Sequence, residues 1–109
     1  MQASASDMAY EIIWLDEARK SFDAEMEYVY SNFGLLTLSE VFDNLHERVN
    51  QMKLFPRIGV RHEDLDYHGY EIRMLHVKKV SVVYAIIGQT VQNLYVWNNW
   101  RDPKRIAKV

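Results

Sequence analysis

Hydrophobic positions along this chain change period twice, and each change marks a boundary between elements. Ala9-Tyr10-Glu11-Ile12-Ile13-Trp14 is a short β-branched and aromatic run that predicts a strand. Leu15, Ala18, Phe22, Met26, Val29 and Phe33 then recur at steps of three and four, with Asp and Glu between them. That spacing predicts an amphipathic helix ended by Gly34. Thr37 and Glu40 stand in the S/T-x-x-E relation of a capping box, with Leu36 and Val41 placed as a hydrophobic staple. The second helix expected there carries Leu38, Val41, Phe42, Leu45, Val49 and Met52 on one stripe and stops at Phe55-Pro56, where proline ends helical bonding. So short a connection makes the two helices an antiparallel hairpin.

The segment from Pro56 to Gly69 is polar and mixed, with a short extended piece expected near Val60 to Leu65. After it the period becomes two. Tyr70, Ile72, Met74 and His76 fall on one face of a strand, and Glu71, Arg73, Leu75 and Val77 on the other. Turns at Lys78-Lys79 and Gly88-Gln89-Thr90 lead into Val80 to Ile87 and Val91 to Trp97, giving a three-stranded antiparallel meander. The expected class is α+β, with an N-terminal strand and an antiparallel helical hairpin packed on a small antiparallel sheet. One domain is expected over residues 9–109, behind a polar leader at residues 1–8.

Composition narrows the function classes. The 109 residues include no cysteine, which excludes disulfides and thiolate metal sites. The apolar runs are too short to span a bilayer, and Met1 to Asp7 lack the regions of a signal peptide, so the expected address is cytoplasmic. A formal charge of −2 hides a division: residues 1–47 hold two cations against ten carboxylates, and residues 48–109 hold eleven against five. The basic half suits a phosphate or an acidic partner, whereas overall near-neutrality argues against an indiscriminate nucleic-acid binder.

No Gly-rich phosphate loop, nucleophile elbow or cysteine nucleophile is present. His46, His62, His68 and His76 lack metal-ligand spacing, so neither a metal centre nor a cofactor is expected. His62 and His68 sit in the loop beside the sheet, as solvated side chains or as an acid and a base. Arg73 shares a strand face with Leu75 and Val77, where a guanidinium is tolerated only when paired or open to a ligand. Glu71 or a helix carboxylate is the structural partner; a phosphate is the functional one. The last strand exits through Trp97-Asn98-Asn99-Trp100-Arg101-Asp102-Pro103-Lys104-Arg105, either a polar turn or a binding rim of indoles, amides and guanidinium groups.

The order of these pieces resembles the RelE/ParE superfamily of type II toxin-antitoxin toxins. The likeness runs from Tyr10 to Ile106. It includes Tyr10-x-Ile12-Ile13-Trp14 with Ala18, Glu27-Tyr28-x-Tyr30, Phe55-Pro56-Arg57-Ile58-Gly59, Gly69-x-x-x-Arg73, Val82-Val83-Tyr84 and Trp97-x-x-x-Arg101-Asp102-Pro103. The resemblance implies a helical hairpin on a small antiparallel sheet and two alternative activities on it. RelE-like members cut messenger RNA on the ribosome with Lys and Arg around the scissile phosphate; Arg73 and Arg101 match two such positions, with His62, His68 or His76 available to move protons. Ser81 stands where those enzymes carry another arginine, and no tyrosine follows Arg101. ParE-like members inhibit DNA gyrase, and the sparse basic set favours that side. Either way the resemblance implies an antitoxin that forms a hetero-oligomer with the toxin, docking a helix along the hairpin and an extended piece at the sheet. A third alternative is a non-toxic, antitoxin-binding co-repressor. The expected target- or antitoxin-binding residues are Arg73, Tyr84, Trp97, Asn98, Trp100, Arg101, Lys104 and Arg105, with Arg73, Trp97, Trp100 and Arg101 near one wall of a groove.

Overall fold

The computed structural model describes residues 9–65 and 68–99. Strand β1 (Glu11–Trp14) leads into a helical segment α1 (Asp16–Gln51), then β2 (Val60–Arg61), a single 3₁₀ turn (Glu63–Leu65), β3 (Glu71–Val77), β4 (Val80–Ile87) and β5 (Thr90–Asn98). The strands form one sheet in the order β1-β5-β4-β3-β2. The α+β class and the β3–β4–β5 meander match the expectation. β1, however, pairs with β5 in parallel, so the five-stranded sheet is mixed.

Within α1, Gly34 separates two helical arms at φ 85°, ψ −179°. This is backbone that glycine alone enters without strain. The break produces the expected hairpin: Phe22 and Phe42 ring centroids lie 5.8 Å apart, whereas a straight helix would separate them by about 30 Å. Gly34→Ala is therefore expected to cost about 2 kcal/mol, read as a shift in urea midpoint, even though no atom stands within 4 Å of the added Cβ. A single-residue turn also changes the second arm's start. Helix resumes at Leu35, Leu36 is left 87% exposed and forms no staple, and Glu40 sends its carboxylate across to Lys78 Nζ at 2.7 Å. That hydrogen bond and the Lys78 charge hold the Glu40 carboxyl below its ordinary value. Both partners are exposed, so Lys78→Ala should leave the melting temperature unchanged.

The core lies between the hairpin and one sheet face. Met26, Val29, Val41, Leu45, Val49 and Met52 meet Leu75, Val77, Val80, Val82, Tyr84, Ile86, Val91 and Val96. In the first arm the buried stripe is rotated from the expected one: Ser21 and Glu25 are inside, while Leu15 and Phe33 are exposed. Ser21 has a specific task. β1 pairs with β5 only as far as Asn93, so the amide of Val96 faces no strand on that side, and Ser21 Oγ accepts it at 2.8 Å. β5 also carries an extra residue. Val83 pairs with Tyr95 but Tyr84 with Asn93, leaving Leu94 as a bulge. Val91 and Asn93, then Val96 and Asn98, face the hairpin, and Tyr95 and Trp97 turn to the opposite face.

No helix among the described residues is long and apolar enough to cross a membrane.

Candidate functional site

One rung of side chains crosses the whole sheet on the hairpin side. Arg61 pairs with Arg73, Arg73 with Tyr84, Tyr84 with Asn93, and Asn93 with Trp14. Its middle members do not point into an empty cleft; they hold the segment that joins α1 to β2. Tyr84 Oη donates to Pro56 O at 2.7 Å and accepts from the Gly59 amide at 2.9 Å. Arg73 Nη1 donates to Gly59 O at 2.6 Å and to Arg57 O at 3.1 Å, while its Nε donates to Glu71 Oε2. Arg57 Nε sits 3.4 Å from the other Glu71 oxygen. Sequence alternation placed Glu71 and Arg73 on one face, and the structure pairs them there.

The electrostatics follow from this packing. Burial is the largest influence on the Glu71 carboxyl and pushes it up, but the hydrogen bond from Arg73 and the charges of Arg73, Arg57 and Arg61 together hold it below the ordinary carboxylate range. Burial pushes the Tyr84 phenol up against the opposing Gly59 amide and Arg73 charge, so it stays a neutral donor to Pro56. The hydrogen bond that Arg57 donates to the Tyr10 side chain, followed by the Glu71 charge, raises Arg57. Gly59 is required by space: a Cβ there would lie 2.7 Å from Met74 O and 2.8 Å from Tyr84 Oη. These carbonyl partners lie 14 to 28 residues away in sequence and have no local signal; the apposition of Pro56 and Gly59 in one motif was the available hint.

A second feature runs along the free edge of β1. A groove of about 600 Å³ lies beside Tyr10, Ile12, Trp14, His46, Val49 and Lys53. A smaller cavity of about 330 Å³, which shares Trp14 and His46, continues it toward Arg19 and Asp23. The wall between them is aromatic: Trp14 lies 5.7 Å from Phe22, and His46 lies 5.6 Å from Phe22 and 4.2 Å from Phe42. Edge backbone beside an aromatic trough can accept an extended peptide, whose main chain pairs with the strand.

The remaining expected residues are dispersed. Trp97 is buried on the face away from the hairpin, because the Leu94 bulge reverses the alternation there; Arg73 and Trp97 therefore do not share a wall. Asn98 is fully buried on the hairpin side, opposite Val80, about 13 Å along β4 from Tyr84. His62 follows β2 with its amide bonded to Ile72 O at 2.9 Å and its Nε2 buried without a hydrogen-bond partner. His68 is exposed at φ 50°. His76 Nδ1 lies 2.5 Å from Ser81 Oγ, which donates to Asn99 Oδ1 at 2.6 Å. Trp100, Arg101, Lys104 and Arg105 lie outside the described residues. Among the described residues no three histidine or carboxylate side chains gather where a metal could be held.

Comparison with known proteins places this geometry. Residues 12–103 match the family model for the ParE toxin of the type II toxin-antitoxin system, parDE. No curated protein matches the sequence. Among solved structures, the chain is similar to one from the chromosomal ParDE TA system of P. aeruginosa, with a TM-score of 0.65, 16% identity, and coverage of 87% of this chain and 98% of that one. At that identity the likeness concerns the fold.

Proposed function

The chain belongs to the ParE toxin family of type II toxin-antitoxin systems, and from that premise we propose that it arrests growth by inhibiting DNA gyrase in the cytoplasm until a cognate antitoxin covers it. The observation that carries the choice of gyrase over messenger RNA is the engagement of Arg73. Its guanidinium is given to Glu71 and to two loop carbonyls, and the Tyr84 hydroxyl is given to the same loop. A phosphodiester-cutting site needs such groups turned toward the substrate. On this reading Arg73 and Tyr84 are positioning residues that fix the segment after α1. Trp97 and Asn98 are buried, so target contact falls to Trp100, Arg101, Lys104 and Arg105.

The free surfaces support a place for the antitoxin. A helix lies along the acidic hairpin, and an extended segment enters the groove at the free edge of β1, its apolar side chains reaching Trp14 and the Phe22–Phe42–His46 wall.

Purified protein at stoichiometric excess is expected to abolish gyrase supercoiling, and Arg101→Ala to weaken that inhibition at least about tenfold with the fold retained. In induced cells, a radiolabel pulse should show DNA synthesis stopping before protein synthesis. Untouched gyrase would remove this mechanism. Codon-phased cuts in translated messages that vanish in Arg101→Ala would replace it with ribosome-dependent RNA cleavage, and normal growth without antitoxin would leave a co-repressor.

A further inference from the structure

Segment 53–61, Lys-Leu-Phe-Pro-Arg-Ile-Gly-Val-Arg, holds three cations and no carboxylate. Only Pro56 and Gly59 within it are buried, and these are the two residues bonded by Tyr84. Every other side chain faces outward. Leu54 is 58% exposed, Phe55 63%, Ile58 36% and Val60 59%; Phe55, Pro56, Arg57 and Ile58 line a shallow cavity of about 410 Å³. A free loop of this composition would fold its apolar groups against the body of the protein. This one cannot, because Tyr84 and Arg73 hold its backbone at Pro56, Arg57 and Gly59, and Glu71 holds the Arg57 side chain.

Apolar anchors kept outward by an internal clamp are a binding surface whose ordering entropy is already spent. Their chemistry selects the occupant. Cations at Lys53, Arg57 and Arg61 interrupt the apolar positions, so the complementary surface has apolar side chains set between carboxylates. A second copy related by a two-fold axis would instead set a patch with three cations and no carboxylate against itself. Double-helical nucleic acid would satisfy the cations but leave Phe55 and Ile58 wet.

We propose that segment 53–61 is a preformed docking surface for an acidic segment of a partner protein, which seats apolar side chains on Phe55 and Ile58 and carboxylates beside Lys53, Arg57 and Arg61. The surface is continuous with the β1 groove: the Tyr10 amide donates to Lys53 O at 2.7 Å, and Lys53, the first residue of the segment, lines the groove. One partner chain can thus run from the groove onto the loop. The inference rests on surface chemistry and holds whether or not gyrase is the target.

The test is a fluorescence-anisotropy titration of the full chain with a labelled synthetic peptide of Glu-Leu-Glu-Glu-Leu repeats and with its counterpart bearing Lys for Glu. Saturable binding of the Glu peptide is expected, at least about tenfold tighter than the Lys peptide and weakened by salt. The double variant Phe55→Ser, Ile58→Ser should lose at least about tenfold in affinity while keeping the wild-type melting temperature, since both side chains are exposed. If that variant melts early, Lys53→Glu at the rim provides the same test through charge. Equal binding of the two peptides, binding indifferent to the substitutions, or no binding at all would overturn the proposal. So would a dimer in sedimentation that the Phe55 and Ile58 substitutions dissolve, which would assign the surface to a second copy. Growth arrest is not read, so this outcome is separable from the gyrase result.

Discussion

Gly59→Ala is expected to destabilise the fold by about 3 kcal/mol, and Gly59 is the one glycine of the four where an added Cβ meets other atoms. The added Cβ would sit 2.7 Å from Met74 O and 2.9 Å from Met74 C, atoms of a strand interior paired on both sides, and 2.8 Å from Tyr84 Oη. The strand backbone cannot retreat without breaking β2–β3 pairing, and the phenol can retreat only by surrendering Pro56 O and the Gly59 amide. Urea denaturation gives the magnitude, and a double-mutant cycle with Tyr84→Phe gives the mechanism. Removing the hydroxyl relieves one of the two clashes, so the Gly59→Ala penalty should be smaller in the Tyr84→Phe background than in wild type. An alanine variant as stable as wild type would show that the loop approaches the sheet less closely than described.

Arg73→Ala should follow at about 2 to 3 kcal/mol, because it leaves two loop carbonyls without their donor and the Glu71 carboxylate with Arg57 alone, at a site where the Arg73 and Glu71 side chains are both 17% exposed. Arg73→Lys keeps the charge but not the fork that reaches Glu71 and Gly59 at once, so it should recover less than half of the loss. The effect carries a pH signature. The Glu71 carboxyl is depressed in the folded protein, so its pairing contributes fully above the ordinary carboxylate range and is lost as pH falls through the depressed value. The gap between wild type and Arg73→Ala should therefore be widest near neutrality and narrow at acid pH to the part carried by the loop carbonyls, and the variant, with burial less opposed, should take up the Glu71 proton at a higher pH than wild type. Urea midpoints measured from about pH 3 to about pH 7 would test this; a gap independent of pH would mean that Arg73 acts through the carbonyls alone.

These two predictions rest on contacts that the sequence could not display. The hairpin was legible because its apolar period is local and Gly34 interrupts it; the meander was legible because period two and the turns at Lys78-Lys79 and Gly88-Gln89 are local as well. Pairing of Glu71 with Arg73 was within reach for the same reason, since residues two apart on a strand share a face. Parallel pairing of β1 was not, because it depends on where the hairpin returns the chain. The rotation of the first arm's stripe was hidden too: Ser21 and Glu25 look solvated until the unpaired amide of Val96 is seen to need one of them. Placing Arg73 and Trp97 on one wall failed through a single residue, because a run as apolar as Val91 to Trp97 gives no sign of where alternation slips.

That slip has a further meaning for how this sheet can vary. β5 is shared by two neighbours with different demands: β1 reads it in parallel over Thr90 to Asn93, and β4 reads it antiparallel along its whole length. Leu94 falls just past the last residue that β1 reads, where it acts as a phase shifter. Upstream, inward and outward positions are dictated jointly by both neighbours and tolerate little change. Downstream, only β4 and the hairpin impose parity, so positions 95 and 97 take their phase independently of the edge that β1 presents. One inserted residue thereby divides a single strand into a half whose phase two neighbouring strands fix and a half whose phase β4 alone fixes among the strands.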